Sequence, residues 1–177
     1  MSWYIYKEDS SNYYAILDHN TTANVAWNSS NVNTSQKEIA VALSNDISGW
    51  DSRLSTRLIT ADEIVQIIGA DDKGFNVSSA TSYVYFDSGT NTRPSWTTSR
   101  GQSEYAWLFD YTSNCYSVGC NFMDSSTTGY WTSTPSANNG VQYVWSVARG
   151  MMTYGVTASD TSRGVRPVIE VPKLLFE

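Results

Sequence analysis

Helical spacing of apolar residues is sustained in two short stretches of this 177-residue chain, and it stops at Gly69. A chain with so little helical period has to build most of its core from strands. The first stretch opens with Ser35-Gln36-Lys37-Glu38, where a hydroxyl and a carboxylate three residues apart can each satisfy a free backbone N–H. Ile39, Ala40 and Leu43 follow at helical spacing, which predicts a helix from Ser35 to Asn45. The second opens with the same box in Thr60-Ala61-Asp62-Glu63 and carries Ile64, Ile67 and Ile68 on one face. Gly69 then supplies the residue best able to take a left-handed cap.

Ahead of these helices, Trp3 to Tyr6 and Tyr13 to Leu17 alternate around Asp9-Ser10-Ser11-Asn12, which predicts a hairpin. Behind them come short runs, Tyr83 to Phe86, Ala106 to Phe109, Gly129 to Trp131 and Val141 to Val147, separated by Gly, Asn, Ser and Pro turns. They predict a small sheet with long loops. The class is α+β, two short helices plus small antiparallel sheets, and with no linker to cut at, residues 1–177 read as a single domain.

Only 16% of residues are charged while 14% are aromatic, and Ser, Thr and Asn crowd every segment, the composition of a secreted or displayed β-rich protein. The net charge of −6 and the lack of any Lys/Arg run leave nothing to neutralise phosphates, so nucleic acid and anionic membrane are poor partners. No apolar run approaches the roughly 20 residues of a membrane span. Met1-Ser2-Trp3-Tyr4 lacks the basic start and apolar middle of a signal peptide. Membrane attachment is expected only through an anchor outside this sequence. Cys115 and Cys120 flank a short loop containing Gly119, and we read them as a local disulfide formed in an oxidising compartment. Two thiols and the distant His19 cannot complete a four-ligand zinc site, and no metal or cofactor is expected. His19, in the turn Asp18-His19-Asn20, lacks a paired nucleophile and reads as structural.

Three segments carry a family resemblance: Arg57-Leu58-Ile59-Thr60-Ala61-Asp62-Glu63-Ile64, then Gly129-Tyr130-Trp131-Thr132-Ser133-Thr134-Pro135 with Val144-Trp145-Ser146-Val147, then Gly164-Val165-Arg166-Pro167-Val168-Ile169. In this order they resemble the C-type-lectin-like domains shared by formylglycine-generating enzymes, the C-terminal domain of Legionella collagen-like protein and many gut-bacterial surface proteins. The likeness spans Asp18 to Lys173. Leu17 to Ala23 and Ala26 to Ser30 are most similar to surface proteins of Firmicutes, some of which carry pilin-like anchors and some of which are variable proteins of diversity-generating retroelements. The resemblance implies a C-type-lectin-like fold and a ligand face near the C-terminus. It also implies that Arg166 is structural, its guanidinium tying loop carbonyls where the terminal strand packs back into the sheet. The chain itself is not expected to be an enzyme, since His19 lacks a paired nucleophile.

Alternation places Trp145 with Tyr143 and Val147 on a core face, and Trp131 is read as core with it. The opposite face would be solvated. The candidate ligand residues are Asn138, Asn139, Gln142, Ser146, Ala148, Arg149, Met151, Thr153, Tyr154, Ala158, Ser159, Asp160 and Thr161. Neither Glu-Pro-Asn nor Gln-Pro-Asp occurs, which argues against calcium-mediated sugar binding, although Asp71-Asp72 and Asp124 could ligate an ion. The expected function is surface display of a module that recognises a protein or a glycan. A structural pilin-like or fibre-tip subunit is the alternative from another class. A formylglycine-generating-type oxidase is a further one, suggested by the spacing of Cys115 and Cys120 and opposed by their position ahead of Trp131.

Overall fold

The computed structural model describes residues 2–51, 54–92, 104–108, 129–138, 140–148 and 150–176. Among them the regular elements are β1 (Trp3–Glu8), β2 (Asn12–Leu17), α1 (Lys37–Asp46), β3 (Ser55–Arg57), α2 (Ala61–Ile67), β4 (Val84–Tyr85), β5 (Gly129–Pro135), β6 (Tyr143–Ala148), β7 (Met151–Thr157) and β8 (Val168–Pro172). The strands form two antiparallel four-stranded sheets, ordered β1-β2-β8-β3 and β4-β7-β6-β5. The architecture is thus α+β. Among the described residues no helix is long and apolar enough to cross a membrane.

The hairpin of β1 and β2 closes as its sequence predicts, because the Asp9 carboxylate accepts from the Ser11 and Asn12 N–H groups, each at 2.8 Å. Far along the chain, β8 inserts between β2 and β3, with Ile16 and Arg57 both opposite Val168. The α2 start follows its sequence fully: Thr60 accepts from the Glu63 N–H at 3.0 Å, and the Glu63 carboxylate accepts from the Thr60 N–H at 2.9 Å. Gly69, at φ 62°, ends it, with its N–H bonded to the Gln66 carbonyl and the Ala70 N–H to the Val65 carbonyl.

Two expectations need correction. Helix α1 begins at Lys37 with no side-chain cap, since distant partners take both halves of the expected box. The Ser35 hydroxyl accepts from Asn28 Nδ2 at 2.9 Å, and Glu38 accepts from the Ser29 N–H at 3.0 Å and its hydroxyl at 2.5 Å. Ala106 to Leu108 form a 3₁₀ turn rather than a strand. The Trp107 and Leu108 carbonyls face inward there, each accepting from the Arg166 guanidinium at 2.7 Å, and a strand ladder could not release them for that.

The second sheet has a hydrophobic cluster on each face. Tyr130, Trp145, Val147 and Met152 project into one, with Ile16 and Val168 from the first sheet and Ile64 and Val65 from α2. Trp131 and Val144 project into the other, with Trp27, Val165 and Ile39 and Ala42 of α1. Trp131 and Trp145 are fully buried, as read from the sequence.

One ionic cluster ties four elements together. Arg57 of β3 grips Glu63 of α2 through Nη1 at 2.7 Å and Nη2 at 2.6 Å and reaches Glu170 of β8 through Nε at 2.8 Å. Tyr6 of β1 donates its hydroxyl to Glu63 at 3.2 Å. Burial raises the Glu63 carboxyl, but the Arg57 and Thr60 hydrogen bonds outweigh it, and the group is held below its ordinary 4.5. A depressed carboxylate stabilises the fold above its unfolded pKa and loses that contribution as pH falls through its folded value. Glu63→Gln is therefore expected to lower stability at neutral pH by about 2 kcal/mol and to flatten the decline below about pH 4.5. Urea unfolding across pH checks this, and parallel curves for the two proteins would contradict it.

Arg166 is buried and donates to the carbonyls of Leu17 at 2.6 Å, Leu108 at 2.7 Å and Trp107 at 2.7 Å. A lysine offers a point charge that cannot fan out to acceptors on separate segments. Arg166→Lys should cost about 3 kcal/mol, roughly a 10 °C fall in Tm, despite keeping the charge. A melting curve unchanged from the parent would show that the charge alone matters.

Candidate functional site

Residues opposite one another in an antiparallel pair share a face of the sheet. Tyr85 lies opposite Met151, Met151 opposite Ala148, Thr153 opposite Ser146 and Ser146 opposite Trp131. One face of the second sheet therefore carries Tyr85, Met151, Thr153, Ser146 and Ala148. The sequence points to this face as the ligand surface.

The structure corrects part of that assignment. Ser146 and Ala148 are buried, not solvated, because β6 is an interior strand and its sheet is covered on both sides. Ser146 is small because the buried Arg163 side chain lies over it, donating from Nε to the serine hydroxyl at 3.2 Å. Ala158 is also buried, inside the second cluster. Tyr154 is half-buried on the opposite face, its ring 5.7 Å from that of Trp145. These four side chains leave the candidate surface. Asn139, Arg149, the Cys115 and Cys120 pair and Asp124 lie outside the described residues.

What remains falls into two places. Half-buried Met151 and Thr153 lie toward the Ala148 end of the sheet face, paired with Ala148 and Ser146. Exposed Asn138 and Gln142 sit at the far end of β6, about 20 Å of strand from Ala148 by strand rise, together with the start of the loop bearing exposed Ser159 and Thr161 and half-buried Asp160, since the Ala158 N–H bonds the Gln142 carbonyl at 2.7 Å. Asn138 donates its amide to the Ser78 carbonyl at 2.9 Å, anchoring its own loop.

The loop from Ala158 to Val165 is pinned along its length. The Asn28 N–H bonds the Ala158 carbonyl at 2.9 Å, the Val25 N–H that of Arg163 at 2.9 Å and the Thr21 N–H that of Val165 at 2.9 Å. At its tip the Asp160 carboxylate accepts from the Ser162 N–H at 2.6 Å and hydroxyl at 2.5 Å, and Arg163 Nη1 donates to that hydroxyl at 2.7 Å.

Two contributions escaped the sequence reading. Asn33 is buried and donates its amide to the Tyr143 carbonyl at 2.8 Å and the Gly140 carbonyl at 3.2 Å, while its N–H meets the Val141 carbonyl at 2.6 Å. Asn31, at φ 57°, accepts from the Ser159 N–H at 3.3 Å. Together they join the 28–34, 136–142 and 158–160 loops at one end of the sheet. The density of asparagine from Asn28 to Asn33 is the signal that could have shown this, since a loop needs side-chain amides for backbone groups that no ladder pairs. Tyr83 and Tyr85 are the second contribution: their rings meet edge to face at 5.9 Å beside Met151. His19 Nδ1 meets the Asp18 carboxylate, in keeping with a structural role.

Compared with known protein families, curated proteins and solved structures, the chain matches none.

The geometry separates positions that set shape from positions that only face solvent. Single polar substitutions at Ser159 and Gln142 should change stability by no more than about 0.5 kcal/mol. Ser146→Leu, which overpacks the space beneath Arg163, should cost on the order of 2 kcal/mol. Thermal melts of the three variants test the distinction, and a neutral Ser146→Leu would return that residue to the surface.

Proposed function

We propose that this chain is a binding module of C-type-lectin-like fold, displayed on a bacterial cell or phage particle, that recognises a protein or glycan on another surface. The fold reading is supported by the return of β8 between β2 and β3, directly after the Gly164-Val165-Arg166-Pro167 segment that carries the resemblance. The α+β class and the two small antiparallel sheets agree with it.

The observation that carries the functional reading is the state of the 158–165 loop. Its backbone is tied to residues 21–28, and its buried Arg163 is tied to β6, yet it presents exposed Ser159 and Thr161 at the end of the sheet where Gln142 is exposed, the Ala158 N–H bonding the Gln142 carbonyl at 2.7 Å. A loop held in one conformation loses little entropy on binding, and small polar side chains with a neighbouring side-chain amide suit an adaptable contact surface. Extracellular placement is supported by the low charge and the Ser, Thr and Asn content.

The test is a variant combining Gln142→Ala, Ser159→Tyr and Thr161→Lys, with labelled protein applied to panels of bacterial and host cells and to immobilised glycans. Binding should fall at least about tenfold while Tm stays within roughly 3 °C. Full binding by a folded variant would place the ligand site elsewhere. Failure of the parent to bind any panel, together with self-association in sedimentation, would favour a structural subunit.

A further inference from the structure

The first sheet turns one side into the core and leaves the other open at its β1 edge. Residues opposite one another share a side, so Ile5 stands with Ala15 and Ile169, and Glu8 with Tyr13 and Val171. Tyr13 and Ala15 are two apart, which puts both rows on the same side. The register shift between Ile5 and Lys7 lets Ile5 and Glu8 share it as well. Tyr4, Ile16 and Val168 alternate with these rows and pack into the core. After β8, the 3₁₀ turn Lys173–Phe176 folds back onto the open side. The Phe176 ring meets that of Tyr13 edge to face at 5.8 Å, and Lys173 Nζ lies 4.8 Å from the same ring centroid and 3.1 Å from Glu8 Oε2. The turn nevertheless leaves Phe176 72% and Leu174 77% exposed, and Ile5 is 66% exposed.

Large apolar side chains scattered singly over a surface need no explanation. Here three of the six that are exposed among the described residues gather at one corner, with half-buried Tyr13 and Val171 between the strands. Charge selects what can cover them. At −6 the chain repels copies of itself over most of its surface. Beside Tyr13 on this side, however, the charges are Glu8 and Lys173, one of each sign, since Lys7 lies over Tyr14 on the other side. An apolar patch whose rim holds both signs is complementary to itself: about a two-fold axis, Glu8 of one copy meets Lys173 of the other and the reverse. A partner of single charge would be drawn by one of the two and repelled by the other. We propose that this side of the first sheet is an isologous contact between two copies of the chain, with Ile5, Leu174 and Phe176 at its centre and Glu8 and Lys173 at its rim. With so few strongly exposed apolar side chains per copy, the contact belongs to the small, weak class, and the dimer is expected to form near 100 µM, as an order of magnitude.

The inference is independent of the ligand reading, which concerns the second sheet, and its test needs no ligand. Sedimentation equilibrium of the full chain from about 10 µM to about 1 mM should show a monomer–dimer equilibrium. Ile5→Ser and Phe176→Ser should each weaken it at least about tenfold while Tm stays within roughly 2 °C of the parent, since neither side chain is buried. The deciding arm uses charge. Glu8→Lys leaves only cations at the rim and Lys173→Glu only anions, so each variant alone should stay monomeric while an equimolar mixture dimerises as the parent does. A parent that is monomeric at about 1 mM, dimers that survive both serine variants, or a mixture no more associated than its components would overturn the proposal. So would assembly beyond the dimer, which a closed two-fold contact does not allow.

Discussion

The Arg166 guanidinium joins parts of the chain that no ladder connects. Its Nε reaches the carbonyl of Leu17 at the end of β2 in the first sheet, and its two terminal nitrogens reach Leu108 and Trp107 in the 3₁₀ turn. The same group lies 5.1 Å from the ring centroid of Tyr130 on β5 of the second sheet, and the Tyr130 hydroxyl donates to the Leu108 carbonyl at 2.5 Å. Where a strand ends and a turn begins inside a protein, carbonyls are left without ladder partners, and each costs free energy unless a donor arrives. An arginine supplies donors in one rigid plane, which is why a single side chain can serve two segments at once. Burial pulls its pKa down from the ordinary guanidinium value, and the Tyr130 phenol beside it is pushed up to about 12 by the same desolvation.

That anchor also fixes the loop that shapes the candidate face. Arg163 and Arg166 both lie in the segment that crosses between the sheets, one turned toward Ser146 and the other toward Leu17. Gly164 between them runs so close to its neighbours that a Cβ would fall 2.3 Å from Asn20 Nδ2 and 2.6 Å from the Thr22 carbonyl. Opposite it, a Cβ on Gly129 would fall 1.8 Å from the Val147 carbonyl. The two glycines let three layers of backbone approach, with the Gly164 N–H bonded to the Gly129 carbonyl at 3.0 Å and the Trp131 N–H to the Gly164 carbonyl at 3.1 Å. Surface geometry at residues 158–163 thus follows from contacts in the interior.

What could be read from sequence divides along the range of the interactions. Helix α2 was legible to its caps, because Thr60, Glu63 and Gly69 act on backbone within one turn of themselves. Ser35 and Glu38 present the same local pattern, yet Asn28 and Ser29 capture them from a loop the pattern cannot see. The β6 face was misread for a related reason. Alternation identifies two faces but does not say which is wet, and small residues such as Ser146 and Ala148 suit a covered face under a bulky arginine as well as a solvated one. Asn33 was invisible as an organiser because its acceptors, Gly140 and Tyr143, lie more than a hundred positions away.

These loops contain two populations of polar side chains that composition alone cannot separate. Asn28, Asn33 and Arg163 direct their donors inward at backbone or buried hydroxyls, so each is part of the fold's own hydrogen bonding. Ser159 and Gln142 are exposed on loops whose conformation those residues maintain. A change in the first population removes donors from buried acceptors and alters the shape of the surface; a change in the second alters its chemistry and leaves the shape alone. Under the binding reading proposed above, this division would let recognition vary without reopening the core. The division also says where such variation has to stop. Ser146 and Ala148 lie in the middle of the same sequence segment, but the packing above them ties them to the interior.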